Sequence, residues 1–470
     1  MIPHGGMPLV EWLIAWAMVV VVPLGLRLGR TPRHGLALTL ASAALGVGAL
    51  FVEDRALSAA LVAPYLLNSL RLAAHALNRL LQRGLCAEAL LDIGQLELPV
   101  AAGWLLASRA GWDTGYDPAI TALTAAHFHY AGFAAATVTG VVLRGVRAPW
   151  TGPVIALGPP LVGLGIALSP AVEVLSATLL AAGMLGLAWA MVRLDRRLTV
   201  AALPLLFTMA LALTWALQEF TGHHWLLLPR MAQLHGVLNA LGFATLGLLL
   251  LNLRSPSESR ALPAVPPLPS LRPLDGPPPV GLYSDLKPLG MDTVPPEIAR
   301  YQLDSTSVTL LLRPHWRWRP LGRLAHRLTR GMGNLVMPHE DCVHRVSNRL
   351  LPLQEGWVHS LRTYADGSTM YALAYGRHEH RMRVVAPLPL GALDSLLVAS
   401  STPEHPHLLE SEGLYWVWGP LRVRLPLHER LEGRAEQGHF LAHHRFRLLG
   451  VEILRLDYAI APEPKDSLLA

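Results

Sequence analysis

The sequence predicts a polytopic α-helical membrane bundle of about nine helices, followed by a soluble, mainly antiparallel β domain. That domain reads as a barrel or sandwich with one amphipathic helix. Three observations predict this. Only 15% of the 470 residues are charged and 52% are hydrophobic, against about 25% charged in an ordinary soluble chain. The deficit falls almost wholly between Pro8 and Leu253, where arginines gather in alternate loops. From Arg254 onward charge returns every few residues, and short strand patterns replace the long apolar runs. The organisation is therefore a transmembrane domain over 1–254, a proline-rich linker over 255–279 and a β-rich domain over 280–470.

A spanning helix needs roughly 20 mostly apolar residues. Such runs lie near 8–29, 36–52, 56–77, 88–108, 119–143, 150–168, 171–192, 199–220 and 231–253. The N-terminal MIPHGGMPLVEW lacks a basic stretch before its apolar run, so it reads as the first membrane helix and not as a cleaved signal. Gly158-Pro159-Pro160 and Gly163 to Gly165 are expected to break the sixth helix, for a cavity or for close packing against a neighbour.

Basic loops alternate with others. Arg27, Arg30 and Arg33 follow the first helix, Arg79 and Arg83 the third, Arg144 and Arg147 the fifth, Arg193, Arg196 and Arg197 the seventh, and Arg254 the ninth. The positive-inside rule then puts the N-terminus outside and the β domain in the cytoplasm of a bacterial inner membrane. The same arginines account for the net charge of +6 and pI of about 9.6, so nucleic acid is not an expected partner. Cys86 and Cys342 stand one in each half and imply no disulfide framework.

Clustered prolines over 255–279 favour extended, semi-rigid chain. Beyond them 307–312, 342–350, 357–364, 370–375, 381–385, 414–418, 421–425, 440–446 and 451–458 read as strands, with Asp366-Gly367 as a hairpin turn. Leu321, Leu324 and Leu328 recur at helical spacing over 320–332, with Arg323, Arg327 and Arg330 on another side and Trp316 and Trp318 just before. A basic amphipathic helix beside tryptophans suits an anionic membrane surface. The alternative is a cap that buries its leucines on the β domain. Histidines 339, 344, 359, 378, 380, 405, 407, 439, 443 and 444 are expected to be solvated.

Two stretches in the membrane half, His127-Phe128-His129-Tyr130-Ala131-Gly132-Phe133 and His235 to Phe243 (HGVLNALGF), resemble the signature stretches of YndJ-like bacterial membrane proteins. The soluble half resembles a domain of unknown function fused elsewhere to NAD-dependent epimerase- or saccharopine-dehydrogenase-like domains. Gly331 to Asn334, Arg345 to Pro352 and His444 to Val451 carry that resemblance. No GxGxxG loop is present, so no dehydrogenase chemistry is implied, and the resemblance brings no catalytic residues.

Ionisable groups in a bilayer are costly and often mark function. His127 and His129 lie on one helix about 160° apart, with Tyr130 on the His127 side. His235 and Asn239 share a face at i and i+4. Given the orientation, His127 lies about 12 Å from the outer helix end at 1.5 Å per residue. His127, His129, Tyr130, Glu219, His223, His224, His235 and Asn239 can then converge in the outer half, within reach of Glu97. Such a set holds the bundle together by hydrogen bonds, relays protons or a small polar solute, or binds a metal or haem. Two functional readings follow. In one, the β domain binds a lipid-like ligand at the bilayer and the bundle serves as anchor or small-solute path. In the other, the intramembrane histidines hold a metal or haem for redox chemistry.

Overall fold

The computed structural model describes residues 8–29, 31, 33–223, 225–254, 267–291, 293–331, 335–400, 407–464 and 469. The chain divides into two compact units, Met1–Leu262 and Pro263–Ala470. His224, His405, Met332 to Asn334 and the linker residues 255–266 lie outside the described residues.

The first unit is helical. Its helices are α1 (Pro8–Leu28), α2 (Arg33–Ala49), α3 (Arg55–Arg83), α4 (Ala89–Ala110), α5 (Pro118–His127 continuing through Phe128–Ala134 and Ala135–Val142), α6 (Thr151–Leu168), α7 (Pro170–Leu194), α8 (Arg196–Thr221) and α9 (Leu228–Leu253). Seven of them are long and apolar enough to cross a membrane; α2 is shorter, and α5 carries two histidines and a tyrosine midway. Leucines and aromatics such as Leu157, Leu175, Trp189, Leu203 and Phe207 face outward. A second core lies inside, around Leu26, Phe133, Val138, Leu187, Leu205, Phe243 and Leu248. Apolar side chains inside and out are what an apolar solvent permits.

The third helix runs six residues beyond its expected end near 77, because its polar face is buried against α4. Arg79 meets Asp92 at 2.7 Å, Arg83 meets Asp92 at 3.0 Å, and Arg144 meets Glu88 at 3.3 Å. The expected break in the sixth helix does not occur. Pro159 and Pro160 sit inside an unbroken α6. Gly158 and Gly165 serve close packing instead: a Cβ on Gly158 would come within 2.5 Å of Leu180, and one on Gly165 within 2.6 Å of the Glu173 backbone, whereas Gly163 has open space around it.

The second unit is a closed antiparallel barrel. Its strands are β1 (Thr309–Trp316), β2 (His344–Pro352), β3 (Val358–Tyr364), β4 (Thr369–His378), β5 (Arg381–Pro387), β6 (Ala392–Ser400), β7 (His407–Trp418), β8 (Leu421–Leu425), β9 (Leu427–Glu436), β10 (His439–Leu448) and β11 (Val451–Ala461). Sequence neighbours pair in turn, β6 pairs with β7, and β11 returns to β1, closing a ring of ten strands. The short β8 extends the β9 side of β7, which binds β9 through His407 to Glu410 and β8 through Leu414 to Trp418. The β3–β4 hairpin turns at Gly367, with φ of +81°, and Asp366 accepts from the Ser368 N–H, as its Asp-Gly sequence predicts.

Two strands escape the sequence reading, β6 and β9. The barrel is also filled by its own chain. Leu286, Leu289 and Met291 pack on Met382, Leu397 and Leu409. The short helix α10 (Pro296–Leu303) places Ile298 and Tyr301 among Leu310, Phe440, Leu456 and Tyr458. The second part of the proline-rich segment lies along the wall: Leu268 and Leu271 cover Trp357, Ala374, Val385 and Ala392.

Candidate functional site

The centre of the bundle is built from π-helical turns. They span Ala17–Val21 in α1, Phe128–Ala134 in α5, and Ala232–Gly236 and Leu238–Thr245 in α9. The turns of α1, α5 and α9 pack on one another. A π turn inserts an extra residue, displaces side chains and loosens the backbone ladder, and it recurs at functional sites. Side chains here hydrogen-bond from one of these helices to another. The Tyr130 hydroxyl donates to the Leu13 carbonyl at 2.8 Å, and Trp16 Nε1 donates to Thr245 Oγ1 at 2.9 Å.

The histidines divide into separate sets. His129 is fully buried. Its Nδ1 lies 2.8 Å from the Ala125 carbonyl and must donate, so Nε2 accepts from the Tyr65 hydroxyl at 2.9 Å. His235 Nδ1 donates to the Thr208 carbonyl at 2.9 Å; its Nε2 accepts from Asn239 Nδ2 at 3.0 Å, and Asn239 Oδ1 accepts from the Thr208 hydroxyl at 3.0 Å. His127 lies within electrostatic reach of His235, and its Nε2 is buried with no hydrogen-bond partner.

The remaining candidates stand elsewhere. Glu219 and His223 are exposed at the end of α8. Glu97 packs its stem against Gly132, where a Cβ would approach to 2.9 Å. Among the described residues, no group of three His, Cys, Asp or Glu could hold a metal ion. Sequence reasoning missed Tyr65 and Thr208, which complete the two histidine networks. It also missed a buried ion pair, Arg109 with Glu11 at 3.0 Å, in which Arg109 reaches Ser58 as well. Opposite charges in two apolar helices were the available signal.

The basic amphipathic helix exists as α11 (Arg319–Arg330), but of its three leucines only Leu321 is partly buried, so it is not a leucine cap on the barrel. Leu324 and Leu328 are 52% and 60% exposed, beside exposed Arg323, Arg327 and Arg330. The helix docks through Gly322, where a Cβ would lie 2.8 Å from the Trp316 ring. Trp316 is accordingly beneath the helix, its Nε1 donating to the Pro338 carbonyl at 2.8 Å. Trp318 is on the surface, 49% exposed and 5.5 Å from the Arg317 guanidinium.

The expectation of solvated histidines fails at several places, His359 among them, whose Nε2 is buried without a hydrogen-bond partner. His407 is in the barrel core against Phe440, and burial holds its imidazole down at about 4. His444 meets Glu429 at 3.1 Å, and His443 meets Asp457 at 2.6 Å. Burial alone would raise the Glu429 carboxyl; hydrogen bonds from His444 and Ser395 outweigh it and hold the group below its ordinary value.

Residues 12–243 match the family of YndJ-like proteins. The helical half is YndJ-like. Its match spans the first eight helices and most of α9, and both signature stretches of the YndJ-like half fall on or beside the π turns described above. No curated protein matches the chain, and no solved structure does. The barrel lies beyond the YndJ-like match.

Proposed function

We propose that this is a membrane-anchored lipid-engaging protein of the bacterial inner membrane. Its YndJ-like bundle is the anchor, with the N-terminus outside, and its cytoplasmic barrel docks on the bilayer surface and takes a lipid-like ligand. The observation that carries this reading is the exposed face of α11. Leu324, Leu328 and Trp318 are each about half exposed there, and five exposed arginines, 317, 319, 323, 327 and 330, surround them. An exposed face of this kind is unfavourable in water and complementary to an anionic interface, where each arginine contributes about 1 kcal/mol.

The test uses residues 263–470 with vesicles of phosphatidylcholine, with and without phosphatidylglycerol. The fragment should float with the anionic vesicles only, and Leu324→Glu with Leu328→Glu should abolish flotation without unfolding it. A fragment that ignores anionic vesicles removes the proposal.

A second role, passage of a proton or small polar solute, is supported by His127, whose Nε2 is buried without a hydrogen-bond partner and whose ring interacts electrostatically with His235. A metal or haem centre is less well supported. Both ring nitrogens of His129 and of His235 are already engaged.

A further inference from the structure

The strongest uncommitted feature is a buried guanidinium inside the barrel. Arg362 on β3 is 2% exposed. Its Nε donates to Asn348 Oδ1 at 3.0 Å and its Nη2 to the Tyr301 hydroxyl at 2.9 Å. Its carbon lies 4.5 Å from the centre of the Tyr371 ring and 5.9 Å from that of Tyr458. None of the ion pairs among the described residues involves it, in contrast to Arg383, whose Nη2 lies 2.7 Å from Asp394. The tyrosines bring dipoles and π faces but no counter-charge, since burial pushes Tyr458 up to about 12 and Tyr371 well above its ordinary value. A buried cation without a counter-ion is costly.

The wall opens beside it. β1 pairs with β2 only through Leu310 to Leu312, opposite Val346 to His344. The part of β2 from Asn348 to Pro352 borders a groove of about 610 Å³ whose lining also includes Thr306 and Asp275. Asn348 thus lines the groove and contacts Arg362, which lies behind it and does not itself line the groove. Its Nδ2 is buried without a partner, as is Ser360 Oγ on β3 two residues before Arg362. Unused donors facing an uncompensated cation are the complement of an oxyanion.

We propose that this window is an oxyanion-binding site, with Asn348 as its donor, Arg362 supplying the positive charge behind it and Arg349 at its lip, for the anionic head of an amphiphile or a free phosphate. The proposal stands apart from bilayer docking, which uses α11.

The full chain, purified in a neutral detergent, is titrated calorimetrically with octyl phosphate, octanoate, inorganic phosphate and octanol. Binding of the octyl anions but not of octanol identifies an amphiphile site; binding of inorganic phosphate as tightly as octyl phosphate identifies a free-anion site. Asn348→Asp places a carboxylate against Arg362. It should weaken anion binding at least tenfold, about 1.4 kcal/mol, and raise the melting temperature. Arg362→Met should also abolish binding; should it fail to fold, Asn348→Asp alone decides. Overturning results are anion binding unchanged in Asn348→Asp, or no anion binding by the wild-type chain.

Discussion

The Arg383–Asp394 pair offers the sharpest test of how the barrel is held together. The two side chains lie on β5 and β6, 4% and 0% exposed, with contacts of 2.9 Å at Nε and 2.7 Å at Nη2. The guanidinium also donates to the Pro267 carbonyl at 2.9 Å and lies 5.6 Å from the Trp357 ring centre. The pair is therefore sealed beneath the segment that carries Pro267. Replacing Asp394 with Leu strands the cation, and breaking a buried pair costs about 3–5 kcal/mol. With a urea slope of about 2.5 kcal/mol/M for a unit of this size, the unfolding midpoint of residues 263–470 should fall by about 1–2 M. Adding Arg383→Met removes the stranded charge and should recover most of the loss, because apolar replacements of buried pairs are often neutral or stabilising. Urea titration followed by tryptophan emission measures all three variants. A single-variant shift below about 0.4 M, worth about 1 kcal/mol, would refute the sealed geometry. A double variant as weak as the single would refute the stranded charge as the cause.

Other expectations follow from the same structure. His407, held at about 4, stays neutral while the unfolded chain protonates near 6.5, so stability is full above about pH 6.5 and falls between 6.5 and 4 by at most about 3 kcal/mol. His407→Leu should flatten that slope in pH-dependent urea titrations. Glu429, with its lowered carboxyl, adds a separate loss at more acidic pH, below about 4.5, which Glu429→Gln should remove. Gly322→Val drives a side chain into the Trp316 ring; it should cost about 1–3 kcal/mol and red-shift tryptophan emission. In the bundle, Tyr65→Phe leaves His129 Nε2 without its donor and should cost about 1–3 kcal/mol, read as a lower melting temperature in detergent.

Much of the architecture was legible because it is written in composition. Long apolar runs set the helices and their count, with which the alternation of Arg27, Arg79, Arg144 and Arg193 agrees. The two missed strands show the limit. Ala392–Ser400 lacks clean alternation because both its faces are covered, inward by core residues such as Leu397 and outward by the segment carrying Leu268 and Leu271. Leu427–Glu436 (LHERLEGRAE) carries helix-like charge spacing, and only its full-length pairing with β10 makes it a strand. At the candidate site, the residue types were readable and their grouping was not. A π turn keeps helical dihedrals, as at Phe128, so nothing local announces the shift that sends His129 to Tyr65 and leaves His127 near His235. Arg362 sits in an ordinary strand pattern, and whether it points inward depends on a barrel closure that no local window contains.

That closure has a kinetic side. Thr309 pairs with Ala461, so the first strand of the barrel waits for the last. During synthesis the helical half can enter the membrane while β1 still lacks its second neighbour, and the ring has two open edges until β11 leaves the ribosome. Contacts so distant in sequence form slowly, and open edges invite pairing with other chains. Fixing one end of the chain in a bilayer keeps nascent barrels apart in two dimensions. Shortening the chain by its last strand should therefore produce aggregation at the membrane and not merely a weaker barrel.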